Sequence, residues 1–151
     1  AAIAAAATRV EGPIRLSGHS AGGHLVCRMV CRDAPLAKDL QARVAHVLSI
    51  SGVHDLRPLM RTKLNETLKL DDEEAALEPP ALREPVKGTR LTAWVGGAER
   101  PEFRRQTDLI ANIWYGLGAD TTAVHEAERH HFDVVEGLED SRSALCAAFL
   151  D

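Results

Sequence analysis

No stretch of this sequence stays apolar for the roughly 18 residues a membrane-spanning helix needs. Positive charge is in deficit, with 18 Lys and Arg against 22 Asp and Glu, and cysteine is scarce and odd in number, at three. The first absence excludes a bilayer-crossing segment. The second, a formal charge of −4, removes the basic surface that nucleic acid demands. The third excludes a disulfide framework. Cys27 and Cys31 sit four apart in a helical pattern, where buried reduced thiols are common, so the expected compartment is reducing and cytoplasmic. The chain also lacks an initiator Met. Its first positive charge, Arg9, follows the Ala-rich opening, the reverse of a secretory signal, so the sequence reads as part of a longer chain. What is present, 45% hydrophobic and 26% charged residues over 151 positions, suits about one soluble domain. Residues 1–151 are accordingly read as a single, partial domain. Small molecules are the expected partners, not nucleic acid or membrane, and self-association into a homo-oligomer is left open.

The Ala-rich residues 1–8 suggest a helix, broken at Glu11-Gly12-Pro13, and Ile14-Arg15-Leu16 alternates as a short strand running into Ser17-Gly18. From Ala21 to about Arg32, Leu25, Val26, Met29 and Val30 recur on one helical face. Val44 to Ile50 is rich in β-branched and apolar residues and ends at Ser51-Gly52, the signature of a buried strand of a parallel sheet. Residues 53–87 break the rhythm, with short helical pieces around Leu56–Leu64 and Asp71–Leu77 and prolines at 79, 80 and 85. They read as a short helical cap inserted over a site. Arg90 to Val95 is a strand ending in Gly96-Gly97, Pro101 to about Leu117 a helix, Thr121 to Glu126 a strand, and Val134 to Leu150 a closing helix. This β-α-β-(insert)-β-α-β-α order predicts an α/β fold with a parallel sheet flanked by helices.

Gly18-His19-Ser20-Ala21-Gly22 matches G-x-S-x-G between a predicted strand and a predicted helix, the setting in which that motif forms a nucleophile elbow. A strained turn there pushes the serine hydroxyl out above the strand end, and side chains at the two glycines are expected to collide with the packed strand and helix. Ala21, in the first helical turn, places its backbone N–H to donate to the oxyanion of a tetrahedral intermediate.

A serine hydroxyl needs a base to take its proton, and the base needs an acid to hold its tautomer. On such a sheet both follow the serine, acid first, each on a loop after a strand. Glu99 lies just after the Arg90–Val95 strand. Of seven histidines, only His130 and His131 lie on the loop after the last strand. His19 is inside the elbow, His24 is one turn into the helix behind it, His46 is within a buried strand, and His54 and His125 lie before or within other elements. No metal site is expected. His125-Glu126 and His130 lack the i, i+4 helical spacing of a zincin, and His24, Cys27 and Cys31 share the helix face expected to pack on the sheet.

The segments LSGHSAGGHLV, SGVHDLRPL, VGGAERPEFRRQT and HHFDVVEGL together resemble the kynurenine formamidase (arylformamidase) branch of the esterase/lipase-like α/β-hydrolases, a likeness that spans residues 14 to 150. It implies the C-terminal half of an α/β-hydrolase fold, with Ser20 as nucleophile, His131 as base and Glu99 as acid, and Glu102 as the fallback for the acid. The implied substrate is an N-formyl aromatic amide such as N-formylkynurenine, or a small carboxylic ester, cleaved without cofactor or metal. Two departures stand out. The family usually carries Asp where this chain has Glu99, and the family's His-Gly-Gly oxyanion loop has no counterpart here, so an upstream segment of comparable length is expected. Leu56, Leu59 and Met60 are candidate lining of the substrate pocket. The competing reading is a binding protein that keeps the fold without catalysis.

Overall fold

The computed structural model describes residues 2–150; Ala1 and Asp151, at the ends of the expected domain, lie outside the described residues. Four strands form one sheet in the order β1 (Ile14–His19), β2 (Val44–Ile50), β3 (Arg90–Gly96) and β4 (Asp120–Glu126), all parallel. Helix α1 (Ala2–Ala7) precedes β1, and α2 (Ala21–Arg28) and α3 (Lys38–Ala42) lie between β1 and β2. Between β2 and β3 come a 3-10 turn at Leu59–Arg61, α4 (Asn65–Leu68), α5 (Asp72–Leu77) and a second 3-10 turn at Pro80–Leu82. Helix α6 (Pro101–Gly116) links β3 to β4, and a 3-10 segment (Val134–Glu139) and α7 (Ala144–Leu150) close the chain. No helix among the described residues is long and apolar enough to cross a membrane.

Because side chains alternate across a strand, β2 and β3 each feed two cores. Val47, Leu91 and Ala93 meet Cys27 of α2 and Val30 just beyond its end, together with Ile110 and Trp114 of α6. Leu48, Ile50 and Trp94 point the other way, onto Val134 and Leu145. The apolar richness of β2 is thus explained by burial on both faces. Among the described residues β1 and β4 are the edges, and both are more exposed than the central pair.

Three elements differ from the sequence reading. Helix α2 stops at Arg28, short of Arg32, because the backbone beyond it pairs elsewhere: the Arg32 N–H donates to Glu84 and Val86 N–H to Val30. Helix α3 has no counterpart in the sequence reading. Its buried Gln41 donates to the Met29 and Cys31 carbonyls, at 3.0 and 2.7 Å, satisfying groups that the end of α2 leaves open. The expected helix over 134–150 is split. Ser143 Oγ accepts from Cys146 N–H and donates to the Gly137 carbonyl, so it starts a new helix within the span expected to be one.

Candidate active site

The site lies at the carboxyl ends of the strands. Ser20 follows β1 with φ 57° and ψ −116°, a conformation rare for a residue with a Cβ, and its N–H donates to the Ile50 carbonyl at 2.9 Å. Such strain persists only where the surroundings over-determine it, and Gly18 supplies part of that. A Cβ on Gly18 would lie 2.9 Å from Gly23 N and closer still to the Gly22 carbonyl. At Gly22 the expected collision does not occur: a Cβ there meets nothing within 4 Å. The second tight position is Gly23, where a Cβ would come within 2.6 Å of Ser49 Oγ and 2.7 Å of Gly52 Cα.

Glu99 and His131 arrive on two loops that touch. A Cβ on Gly96 would strike the Arg129 carbonyl, so the bare glycine lets the histidine loop lie against the end of β3. Gly97 N–H donates to Glu126 and Ala98 N–H to Arg129, at 2.6 and 2.9 Å. His131 Nδ1 lies 2.8 Å from Glu99 Oε2, and its Nε2 lies 3.2 Å from Ser20 Oγ. Since a carboxylate oxygen accepts, Nδ1 carries the proton in this contact, which leaves the Nε2 lone pair facing the serine hydroxyl. The Glu99 side chain is 0% exposed and that of His131 19%.

The alternatives to these residues are engaged elsewhere. His130 Nδ1 accepts from the Phe132 and Asp133 N–H groups of its own turn. Glu102 pairs with Arg105 and accepts from Gln106 Nε2, each at 2.8 Å. Hydrogen bonding to Arg105 holds the Glu102 carboxyl below its usual range. His125 pairs with Asp108 at 2.7 Å on the outer side of α6, beside a depression of about 630 Å³ that Ser20 does not line. Cys27 and Cys31 are fully buried, and burial raises both thiols, Cys31 to about 12. Among the described residues no cluster of three His, Cys, Asp or Glu is arranged to hold a metal.

Three residues that the sequence reading passed over support the arrangement. His19 Nε2 donates to the His131 carbonyl at 2.8 Å while its ring lies 4.6 Å from the His131 ring, centroid to centroid. Burial first, and then the neighbouring His131, lower the pKa of His19. Gln106 accepts from the His54 and Asp55 N–H groups at 2.8 and 2.7 Å and donates back to the Asp55 carbonyl, fastening the residues after β2 to α6. Ser51, fully buried, donates to Glu99 Oε1. The elbow histidine and the Gln of PEFRRQT were visible in the sequence, but nothing local marked what they would touch.

Ser20 and Ala21 open onto a cavity of about 610 Å³. Val53, Leu56, Leu59, Leu64, Leu68 and Phe103 supply its apolar walls, with Lys63, Arg100 and Glu102 also lining it. Leu56 and Leu59 line it as expected; Met60 does not, and of its 3-10 turn only Leu59 faces the cavity. The Phe103 ring lies 4.2 Å from that of His131.

Comparison with known proteins places this geometry in context. No protein-family model matches the chain. A kynurenine formamidase of Danio rerio is 29% identical over 140 residues, covering 89% of this chain and 47% of the relative. A solved structure from Silicibacter sp. TM1040, provisionally described as a thioesterase, is 42% identical, with a TM-score of 0.89 over 99% of this chain and 55% of that one. An arylesterase structure, 16% identical, shares the fold with a TM-score of 0.65 over 99% of this chain and 55% of its own. The chain spans about half the length of the curated relatives it matches.

Proposed function

On the premise that this chain is a relative of kynurenine formamidases with part of an α/β-hydrolase fold, we propose that it carries the nucleophile, base and acid of a serine hydrolase. The observation that carries the reading is the unbroken series Ser20 Oγ, His131 Nε2, His131 Nδ1 and Glu99 Oε2, with contacts of 3.2 and 2.8 Å. Ser20 Oγ attacks the substrate carbonyl carbon while His131 Nε2 takes its proton, and Glu99 stabilises the imidazolium. The tetrahedral oxyanion accepts from the Ala21 N–H at the start of α2, where the helix dipole adds favourable potential. His131 returns the proton to the leaving amine or alcohol. Water, activated by the same imidazole, then cleaves the acyl-enzyme and frees Ser20.

The substrate we propose is an N-formyl aromatic amide of the N-formylkynurenine kind, with small carboxylic esters as the neighbouring class. Its support is the relationship to the formamidases and the apolar cavity beside Ser20. Residues 53–87 would act as a cap that shapes this cavity. The test compares hydrolysis of N-formylkynurenine and p-nitrophenyl acetate by the full chain and by Ser20→Ala and Glu99→Gln. Ser20→Ala should be inactive on both and fail to label with a fluorophosphonate. Glu99→Gln should lose about 10⁴-fold in turnover with the fold intact. Turnover of the ester alone would make this a carboxylesterase, and silence on both substrates without labelling would support the non-catalytic reading. Near-normal turnover by Glu99→Gln would remove Glu99 from the acid role.

A further inference from the structure

Ser51 is the first residue after β2, it is completely buried, and its φ is 50°. A buried serine in the left-handed region, where a residue with a Cβ rarely settles, calls for a local cause. Nothing in the fold of β2 alone supplies one, since the strand has already ended. What the conformation achieves is the aim of the side chain: Ser51 Oγ donates to Glu99 Oε1 across to the next strand's loop. The backbone holds that aim, because Ser51 N–H donates to the Trp94 carbonyl of β3 at 2.6 Å, one residue beyond the last register pair, Ile50 with Trp94.

Glu99 Oε1 also accepts from Gly96 N–H at 2.9 Å. The carboxylate is thus divided: Oε1 takes two donors from the sheet and Oε2 takes one from His131. A glutamate has three side-chain torsions, and the last is broad and roughly two-fold, so a carboxylate held at only one oxygen can swing away from its partner. With the side chain shut off from solvent, no bulk water substitutes for a lost donor.

We propose that Ser51 is a positioning residue for the reaction: together with Gly96 N–H it pins Glu99 Oε1 so that Oε2 is presented to His131 Nδ1. Ser51 touches neither the substrate nor the reacting atoms, and this assignment rests on the reading of Glu99 as the acid. The test is a double-mutant cycle in the full chain, read by turnover of p-nitrophenyl acetate and by the rate of fluorophosphonate labelling at Ser20. Ser51→Ala and Ser51→Gly both remove the hydroxyl, and the glycine also tolerates the positive φ, so it keeps the test open if alanine fails to fold. Each should lower kcat by roughly 10- to 100-fold, the scale of losing a hydrogen bond to an ionised group, with KM changed by less than about two-fold. In a Glu99→Ala background the same substitutions should change the labelling rate by less than about two-fold, because the hydroxyl then has nothing to hold. A packing role predicts the opposite, an equal loss in both backgrounds, and that result overturns the proposal. Ser51 variants with normal kcat, alongside a crippled Glu99→Gln, overturn it while leaving the acid in place; an active Glu99→Gln removes the acid reading and the proposal together.

Discussion

The two regions that flank Ser20 are built by different means. On the side of Glu99 and His131, hydrogen bonds join residues far apart in the chain: Ser20 to His131, Ser51 to Glu99, His19 to the His131 carbonyl. On the side of residues 56–70 the polar contacts are local. Asn65 closes its own loop onto Leu70 through both ends of its amide, at 2.8 and 3.1 Å, and α4 ends at Lys69 in a left-handed cap. Leu64 and Leu68 in that wall remain 55% and 46% exposed, whereas Glu99 is buried. The contacts among Ser20, His131 and Glu99 are therefore tied to the folding of the whole sheet, whereas the wall over 56–70 is held by local contacts.

The largest effect expected from this contrast lies in the elbow. Gly18→Ala drives a methyl into the backbone at Gly22 and Gly23 and should cost at least about 3 kcal/mol in urea unfolding, because backbone on both sides leaves no room to relax. Gly22→Ala, one residue of the same motif away from any neighbour, should be neutral or stabilising by up to about 1 kcal/mol. Equal costs would show that the motif's glycines serve one common purpose and that the packed side is not as tight as its contacts imply.

A middle-sized effect sits beneath the packed side. His54 is fully buried, with one ring nitrogen at Ser49 Oγ and Nδ1 without a partner among the described residues, and burial, then the nearby His24, lowers its pKa from 6.5 to about 3. Between those values the unfolded chain binds a proton that the native state refuses, so stability is complete above about pH 6.5 and declines as pH falls toward 3. The folding equilibrium should weaken by roughly tenfold per pH unit within that window from this group alone. Thermal melts at pH 7, 6 and 5 should show the decline, and His54→Gln should flatten it. An unchanged slope in that variant would assign the decline to other groups.

The smallest stability effect belongs to the wall. Leu64→Ala and Leu68→Ala should alter stability by less than about 0.5 kcal/mol, as exposed positions do, while raising KM severalfold at nearly constant kcat. A kcat loss in either would mean that the wall, too, reaches the reacting atoms.

Much of the packed side was legible in the sequence. The elbow sits between a strand and a helix, and the structure brings Ser20, Glu99 and His131, which the sequence places at successive strand ends, into contact. Ser51 and Gln106 were not legible, because their meaning depends on which residues β2, β3 and α6 bring alongside them, and periodicity carries no register between strands. His130 and His131 could not be separated by spacing alone; the turn that consumes His130 exists only once Asp133 folds back onto it. The expected closing helix over 134–150 is interrupted at the polar run Glu139-Asp140-Ser141-Arg142-Ser143, where Ser143 closes onto Gly137 and caps the next segment. Residues 56–70 offered short helical pieces without a strong face, which is how a wall supported by local contacts looks in one dimension.

The missing side chain at Gly96 has a consequence for anyone rebuilding this site. It lets the stretch from Glu126 to His131 rest directly on the turn that carries Glu99, so Glu99 and His131 are not two independently mounted parts. Lengthening either loop alone would wedge them apart, and transplanting the pair into another sheet requires moving both turns as a single graft, glycine included.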